Sequence, residues 1–480
     1  MKKIFISFLA LVAIVGVANA QRTWAYDLNS TQEGDAYTFE FKATTAATTA
    51  NLVLVDVNGN EVAKLPLENV VAGANSVTLE LAKLHKDAVN WAVELTGEAI
   101  VAGETLAEVT DVNRGIYNFY LPQDVAVDNN PESDYFGRIY VAEATDGADD
   151  GGSERADTQK RGIFVYDQEL NELNPTTNVG ILPSNVTLTD QSRQALHRMS
   201  INPVNNHVAF CYNVEGASAV WSMDPANLGG DAVNLIEGLA ITKATALCFD
   251  EEGALYVMDN INTIVKVVSG ELTTIIQDGT WGNQDLSLVS DGRGGLWIAQ
   301  NRWNIDTHSL LTHVNAAGKI DFKVTVDSPE EVKSLFPQDA NASYRGQCAY
   351  NAAEDVLAFG GNKVVALFKV TYDAETGVPA LEKLHVTPTL GSNIDGVAFD
   401  YAGDLYVVSA SVERFYKFAV PTAENTCIVP AKSSLVITGG TATSVDNVAI
   451  SVDAQKIIRN GQVLIIRDGK TFNMLGQEVK

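Results

Sequence analysis

The sequence predicts an all-β protein in which a β-sandwich is followed by a six-bladed β-propeller and a short C-terminal β-meander. Three observations support this prediction. Along the middle of the chain, a motif recurs in which one apolar run ends in Asp, turns at Gly and is followed by another apolar run. Alternating apolar and polar residues precede this region, and Asn-Gly and Asp-Gly turns follow it. We place the sandwich at residues 21–110, the propeller at 111–438, and the linker and tail at 439–480.

Residues 1–20 predict a secretory signal peptide. Two Lys residues precede an apolar run from Ile4 to Val17, and Ala-Asn-Ala at residues 18–20 is a typical cleavage site. The mature chain is expected to begin near Gln21. The apolar run is short for a membrane span, so we expect an exported protein without a transmembrane segment. Its expected location is the outer cell surface or the medium, with the periplasm as the alternative.

The first domain is predicted to contain only strands. The alternation from Tyr37 to Ala43 predicts a half-buried strand, and residues 52–65 predict a hairpin around an Asn-Gly turn. Two further strands are expected around Val77 and Trp91, and strands alone in about ninety residues favour a sandwich. The stretches VLVDVNGNEVAKL, GANSVTLEL and WAVELTG resemble the immunoglobulin-like domain of the flagellar-hook-cap family. This resemblance implies a packing or spacing role without catalytic residues.

The middle of the chain consists of repeats. In the clearest copy, Asp400 ends an apolar run, Gly403 turns the chain, and Leu405 begins the next run. The equivalent anchor residues are Asp128, Asn202, Asp250, Asp291, Asn351 and Asp400. A period of about 40 to 50 residues with several strands per repeat is typical of propeller blades. The copies resemble NHL-type and related six-bladed propellers, a fold that hosts hydrolases, lyases and binding modules. Residues 116–121 or 428–437 are expected to supply the strand that closes the ring.

The net charge limits the expected partners, and the cysteine content limits the expected disulfides. The chain has 33 basic and 60 acidic residues, a net charge of −27. This surplus repels nucleic acid and anionic membranes, and it favours cations or neutral ligands. Four Cys are too few for a disulfide framework in a chain of this length, so Cys211, Cys248 and Cys348 are expected to act as small apolar residues.

Polar residues near the starts of the predicted inner strands are candidate ligand-binding groups at the channel mouth. They are Asp124, His197, Arg198, Asp285, Arg345, Asn393 and Asp395. Among them, Asp124, Asp285, Asn393 and Asp395 could bind Ca²⁺, which takes six to eight oxygen ligands. A polar, water-filled channel without a tight ligand is the alternative that we favour. His197 and Arg198 would suit a lyase, as a base and a carboxylate clamp.

Three further stretches offer candidate sites. Trp281 and Trp303 have polar neighbours, so they either stack on a sugar ring or lie buried between blades. The acidic loop from Glu143 to Arg161 either binds Ca²⁺ or is a solvated surface loop. The stretch SPEEVKSLF predicts a short helix beginning near Ser328.

The C-terminal stretch IIRNGQVLIIRDGKTFNMLGQEVK predicts three strands joined by Asn-Gly and Asp-Gly turns. It resembles the C-terminal tails of proteins exported by type IX secretion, which implies recognition by that secretion machinery. A small terminal sheet packed on the propeller is the alternative.

The chain has no G-x-S-x-G, H-E-x-x-H or phosphate-binding G-x-x-x-x-G-K motif. We therefore predict an exported, non-catalytic binding protein that recognises a glycan, a peptide or a surface protein through one propeller face. Two alternatives are a divalent-metal-dependent hydrolase or lyase with its site in the channel, and a structural scaffold of the cell envelope.

Overall fold

The computed structural model describes residues 21–435 except 112, 148–157, 189–194, 215–216, 261, 279–280, 282–286, 301–308, 326, 337–345 and 362. In the tail, it describes the backbone of residues 455–459, 462–467, 470–473 and 478–479. This part of the chain is almost entirely β-sheet, as predicted. Within it, no helix has the length and apolar character needed to cross a membrane.

Two sheets at the front of the chain pack face to face, and we call them the sandwich. The first contains β1 (Ala25–Glu33), β2 (Ala36–Ala43) and β5 (Gly73–Glu80), in the order β1-β2-β5. The second contains β3 (Thr49–Val55), β4 (Glu61–Leu67), β6 (Asn90–Thr96) and β30 (Thr426–Pro430), in the order β30-β6-β3-β4. Inward-facing side chains such as Phe39, Leu52 and Trp91 form one buried core. The sequence did not predict β1, which is rich in polar residues.

Six further sheets follow the repeats, and we call them ring sheets 1 to 6. Sheet 1 contains β8 (Pro122–Val127), β9 (Ile139–Glu143) and β10 (Gly162–Tyr166). Sheet 2 contains β11 (Met199–Ile201), β12 (Val208–Tyr212), β13 (Ala219–Met223) and β14 (Val233–Asn234). Sheet 3 contains β15 (Ala244–Phe249), β16 (Leu255–Asp259), β17 (Thr263–Val268) and β18 (Glu271–Gln277).

Sheet 4 contains β19 (Ser287–Ser290), β20 (Leu296–Ala299), β21 (Ser309–Val314) and β22 (Ile320–Thr325). Sheet 5 contains β23 (Gln347–Asn351), β24 (Val356–Gly360), β25 (Val365–Tyr372) and β26 (Pro379–Val386). Sheet 6 contains β27 (Gly396–Phe399), β28 (Leu405–Ser409), β29 (Arg414–Ala419) and β7 (Ala107–Glu108). The first strand of each sheet contacts that of the next, and β27 contacts β8, so these strands surround a central channel. The predicted propeller architecture is confirmed.

Two strands connect parts of the structure that are distant in sequence. The outer edge of ring sheet 6 is covered by β7, where Glu108 lies opposite Phe418. Strand β30 pairs with β6 of the sandwich, where Val429 lies opposite Val93. Neither predicted closing stretch supplies the fourth strand of ring sheet 6, because residues 116–121 contribute one isolated bridge, between Asn118 and Arg414, and residues 426–430 join the sandwich. Burial explains the second difference, since Val429 fills the sandwich core.

The repeated Asp forms the turn between the first and second strands of a ring sheet. Oδ1 of Asp250 accepts hydrogen bonds from the backbone N–H groups of Glu252 and Ala254, at 3.1 and 2.8 Å. Asp400 forms the same kind of turn, and the following Gly403 has a φ of 98°, which glycine adopts without strain. An Asp side chain bonded to the amides that follow it is a local turn signal, which explains why the repeat is readable in the sequence.

In three ring sheets, the second oxygen of this Asp faces a basic side chain on the third strand. The pairs are Lys266–Asp250 at 2.9 Å, His313–Asp291 at 3.0 Å and Lys417–Asp400 at 3.3 Å. In ring sheet 5 the anchor is the neutral Asn351, and Lys369 on the third strand donates to the carbonyl of Glu354 at 2.6 Å. The repeat thus specifies a buried polar contact as well as a turn.

The remaining described elements agree in part with the sequence prediction. The predicted helix is the single turn α1 (Glu330–Lys333). The tail forms a meander of β31 (Gln455–Arg459), β32 (Gln462–Arg467), β33 (Lys470–Asn473) and β34 (Glu478–Val479). The fourth strand had not been predicted.

Candidate functional site

A cavity of about 690 Å³ lies in the central channel, and we call it the channel cavity. Its wall contains residues from the first strands of all six ring sheets and from the turns that follow these strands. Strand β30 of the sandwich contributes Cys427 and Ile428 to the lining. The Tyr401 hydroxyl donates to the Ile428 carbonyl at 3.2 Å and so links ring sheet 6 to β30. Cavities of about 300–1,000 Å³ are usual for small-molecule sites, so this cavity is the candidate functional site.

Asp124 and Arg198 lie at the end of the channel cavity nearest the starts of the inner strands. The two carboxylate oxygens of Asp124 accept hydrogen bonds from the N–H groups of Val125 and Met199, at 2.9 and 2.8 Å. Burial raises the pKa of Asp124 to about 6, although the positive charge of Arg198 and these two amides act against the shift. Asp124 therefore joins ring sheet 1 to ring sheet 2.

Arg198 connects three ring sheets. Its Nη1 donates to the carbonyls of Gln123 and Asp395, at 2.9 and 3.1 Å, and the residue is only 3% exposed. Gln123 belongs to ring sheet 1, Asp395 immediately precedes the first strand of ring sheet 6, and Arg198 immediately precedes that of ring sheet 2. The guanidinium group therefore links ring sheets 1, 2 and 6 by binding backbone carbonyls, which gives it a structural role.

Among the residues predicted for the channel mouth, the structure brings together Asp124, Arg198 and Asp395, of which Asp124 and Arg198 line the channel cavity. His197 is buried, and its backbone N–H donates to the Cys211 carbonyl at 3.0 Å. Asp395 is also buried, and its Oδ2 accepts a hydrogen bond from the Ala410 N–H at 2.7 Å. Asn393 is half-buried and does not line the channel cavity. Asp285 and Arg345 lie outside the described residues.

Of the four predicted Ca²⁺ ligands, the structure describes Asp124, Asn393 and Asp395, and only Asp124 lines the channel cavity. Both oxygens of Asp124 and one oxygen of Asp395 already accept backbone N–H groups. Among the described residues, no group of three or more His, Cys, Asp or Glu side chains is arranged to hold a metal ion. The proposed ligand Asp285 and most of the acidic loop lie outside those residues.

Of the two alternatives for Trp281, sugar stacking and burial between blades, the structure shows burial. It is 1% exposed, and its Nε1 donates to the Thr312 hydroxyl at 3.3 Å. It belongs to an apolar cluster that joins ring sheets 3 and 4. Trp303 lies outside the described residues. The three strand cysteines are buried free thiols, as expected.

Glu251 is a site residue that the sequence analysis missed. It follows the anchor Asp250, and its Oε1 accepts a hydrogen bond from the Ser290 hydroxyl at 2.8 Å. Burial raises the pKa of Glu251, and the nearby charges of Asp250 and Asp291 add to this effect. Residues that directly follow an anchor, such as Asn129, Glu251, Ala352 and Tyr401, recur in the cavity lining. This position in the repeat is the signal that could have identified Glu251.

Other carboxylates of the lining have basic neighbours. Glu354 forms an ion pair with Arg22 at 2.5 Å, and Asp400 lies 3.3 Å from Lys417. Arg22 also donates from its backbone N–H to Asp404 at 3.0 Å. The N-terminal segment of the sandwich thus packs against ring sheets 5 and 6 next to the channel cavity.

No protein-family model matches this chain, and no curated protein matches its sequence. Similar solved structures include an auxiliary nutrient binding protein from Bacteroides ovatus, with 11% identity over 82% of this chain and 98% of that chain, at a TM-score of 0.42. The gluconolactonase XC5397 from Xanthomonas campestris has 11% identity over 82% of this chain and 100% of that chain, at a TM-score of 0.40. The WD40 β-propeller domain of Doa1 has 12% identity over 67% of this chain and 99% of that chain, at a TM-score of 0.36. We therefore base the fold and the candidate site on the structure of this chain alone.

Proposed function

We propose that this chain is an exported, non-catalytic binding protein whose ligand occupies the channel cavity. In this proposal the ring sheets are the blades of a six-bladed propeller, and the front sheets are an immunoglobulin-like domain that supports the cavity rim. The signal peptide and the type IX-like tail would direct the protein to the outer cell surface or the medium. The observation that carries the proposal is the cavity of about 690 Å³ enclosed by six inner strands.

The wall of the cavity suits binding. Inner strands fixed in neighbouring sheets form a rigid frame, which limits the entropy lost when a ligand binds. Aromatic residues such as Phe249 and Tyr350 alternate there with polar residues such as Ser200 and Asn351. Aromatic side chains combined with polar groups that can orient a ligand are typical of small-molecule sites. The ligand is then a small molecule, or the exposed end of a glycan or peptide.

We prefer binding to metal-dependent catalysis because of where the predicted metal ligands lie. Of those that the structure describes, only Asp124 lines the channel cavity, whereas a cation such as Ca²⁺ takes several oxygen ligands. Both oxygens of Asp124 accept backbone N–H groups from within the ring. The residue therefore has a structural role in joining two ring sheets.

A cavity-filling variant tests the proposal. Ala398 is half-buried on β27 and lines the channel cavity, so Ala398→Phe should obstruct it. Ala380 is exposed on β26, so Ala380→Phe is a control with the same change in size and polarity. The mature protein and both variants would be screened against small molecules, oligosaccharides and short peptides by thermal shift, followed by calorimetry.

We expect at least one ligand to stabilise the wild type and Ala380→Phe but not Ala398→Phe. Circular dichroism would establish that the variants are folded. A ligand that stabilises all three proteins equally would show binding outside the channel cavity and contradict the proposal.

A further inference from the structure

We infer that the ligand of the channel cavity carries a cationic group, an ammonium or a guanidinium, which forms an ion pair with Glu251. This inference rests on the proposed binding function and names the chemical class of its ligand. It follows from the balance of charges around the cavity, the position of Glu251 and the aromatic residues beside it.

The charges of the cavity lining are compensated except at one residue. Arg198 lies near Asp124 at one end, while Arg22 pairs with Glu354 and Lys417 lies beside Asp400. Glu251 forms no ion pair with any residue that the structure describes. Its carboxylate accepts hydrogen bonds from the Ser290 hydroxyl, to Oε1, and from its own backbone N–H. Both donors are neutral, so the carboxylate keeps its charge uncompensated and is a candidate for contact with a ligand.

A half-buried carboxylate without a cationic partner is costly. Partial removal from water penalises the charged form, and the neighbouring carboxylates of Asp250 and Asp291 increase the penalty. A ligand cation would supply the missing charge, and a charge-assisted hydrogen bond to the Glu251 carboxylate would strengthen the contact. An anionic ligand would meet repulsion from this carboxylate.

Aromatic residues lie next to Glu251. Phe249, Glu251 and Tyr350 line the channel cavity and also a smaller adjoining cavity of about 320 Å³, so the three residues lie where the two cavities meet. The Tyr350 hydroxyl donates to Asp355 at 2.7 Å, which fixes the ring. Aromatic rings attract cations through their negative faces, so this combination favours an organic cation over a neutral polyol. The net charge of −27 also concentrates cations around the protein.

Three probes of similar shape and different charge test the inference. They are phenethylammonium, the neutral 2-phenylethanol and the anionic 3-phenylpropanoate, and agmatine serves as a guanidinium probe. Dissociation constants would be measured by calorimetry or ligand-observed NMR with the mature protein. The key variant is Glu251→Gln, which keeps an oxygen for the Ser290 hydroxyl and removes the charge. Its matched control is Glu252→Gln, which removes the same charge from the exposed neighbouring residue.

We expect a cationic probe to bind the wild type at least about tenfold more tightly than the neutral probe. Glu251→Gln should lose at least about tenfold in affinity for the cation, whereas Glu252→Gln should change it by less than about twofold. Ala398→Phe should abolish binding.

Two outcomes would overturn the inference, and they separate it from the proposed function. If neutral probes or sugars bind the wild type and Glu251→Gln equally, and Ala398→Phe blocks them, the cavity is a binding site but its ligand is not cationic. If neither these probes nor any other ligand class binds the wild type, the inference and the proposed function both fail.

Discussion

Lys417 provides the sharpest test of how buried charges stabilise ring sheet 6. Its side chain is 1% exposed, and its Nζ lies 3.3 Å from an oxygen of Asp400 and 3.3 Å from an oxygen of Asp404. The ammonium also lies 5.3 Å from the centre of the Tyr406 ring. One cation thus serves two buried carboxylates. The substitution Lys417→Met keeps an unbranched, mostly apolar side chain but leaves both carboxylates without this partner.

The expected loss is large for a single substitution. Breaking a buried ion pair by removing one partner costs about 3–5 kcal/mol, because an uncompensated charge remains inside the protein. Lys369→Met is the control, since Lys369 lies on the third strand of ring sheet 5 but donates to a backbone carbonyl. A neutral hydrogen bond contributes about 0.5–1.5 kcal/mol and one from a charged group about 1.5–3 kcal/mol. The loss of stability in Lys369→Met should therefore be smaller than in Lys417→Met.

Urea unfolding of the mature protein, followed by tryptophan fluorescence at pH 7 and pH 5, would measure both losses. Burial raises the pKa of Asp404 to about 6 in the wild type, although Lys417 acts against this shift. Without Lys417 the pKa should rise further, so protonation at pH 5 should remove part of the penalty. Adding Asp400→Asn to Lys417→Met should also restore stability at pH 7. Equal losses for the two Lys variants, or a Lys417→Met deficit that is independent of pH, would refute this reasoning.

Two further predictions concern the buried ionisable side chains of Arg22 and Glu143. Arg22→Ala removes a guanidinium that donates to Glu354 at 2.5 Å and to the Val420 carbonyl at 3.0 Å, so urea unfolding should show a loss of about 2–3 kcal/mol. Arg22→Lys should recover only part of it, because Lys lacks the planar fork; full recovery would contradict this account. Burial raises the pKa of Glu143 from 4.5 to about 8, so its contribution to stability is complete below about pH 4.5 and is lost as the pH rises through 8. Calorimetry should show that the melting temperature of the wild type falls between pH 5 and pH 8.5. In Glu143→Gln the melting temperature should depend less on pH. A variant with the same pH dependence as the wild type would contradict this role of Glu143.

The sequence predicted those parts of the fold that depend on local signals. The anchor Asp, the turn Gly and the flanking apolar runs lie within about a dozen residues of one another, and together they predict strand, turn and strand. The pairing of β7 with β29 and of β30 with β6 could not be predicted in this way. Glu108 and Phe418, like Val93 and Val429, are partners separated by more than 300 residues, and only the closed ring brings them together.

Only part of the candidate site was predicted, because its other contacts also join residues that are distant in sequence. Asp124 and Arg198 were identified because polar residues stand near the starts of apolar strands. Their contacts with Met199 and Asp395 depend on where three ring sheets meet, and no local pattern encodes that meeting. Trp281 was ambiguous because its polar sequence neighbours do not reveal the apolar cluster that surrounds it.

The central claim is that a ligand occupies the channel cavity. The most direct measurement is a crystal structure of the mature protein with the tightest ligand from the screen at saturating concentration. We expect ligand density between the inner strands of the ring sheets, in contact with Tyr350 and Glu251. Density confined to the outer strands of the ring or to the sandwich, with only solvent in the channel cavity, would contradict it.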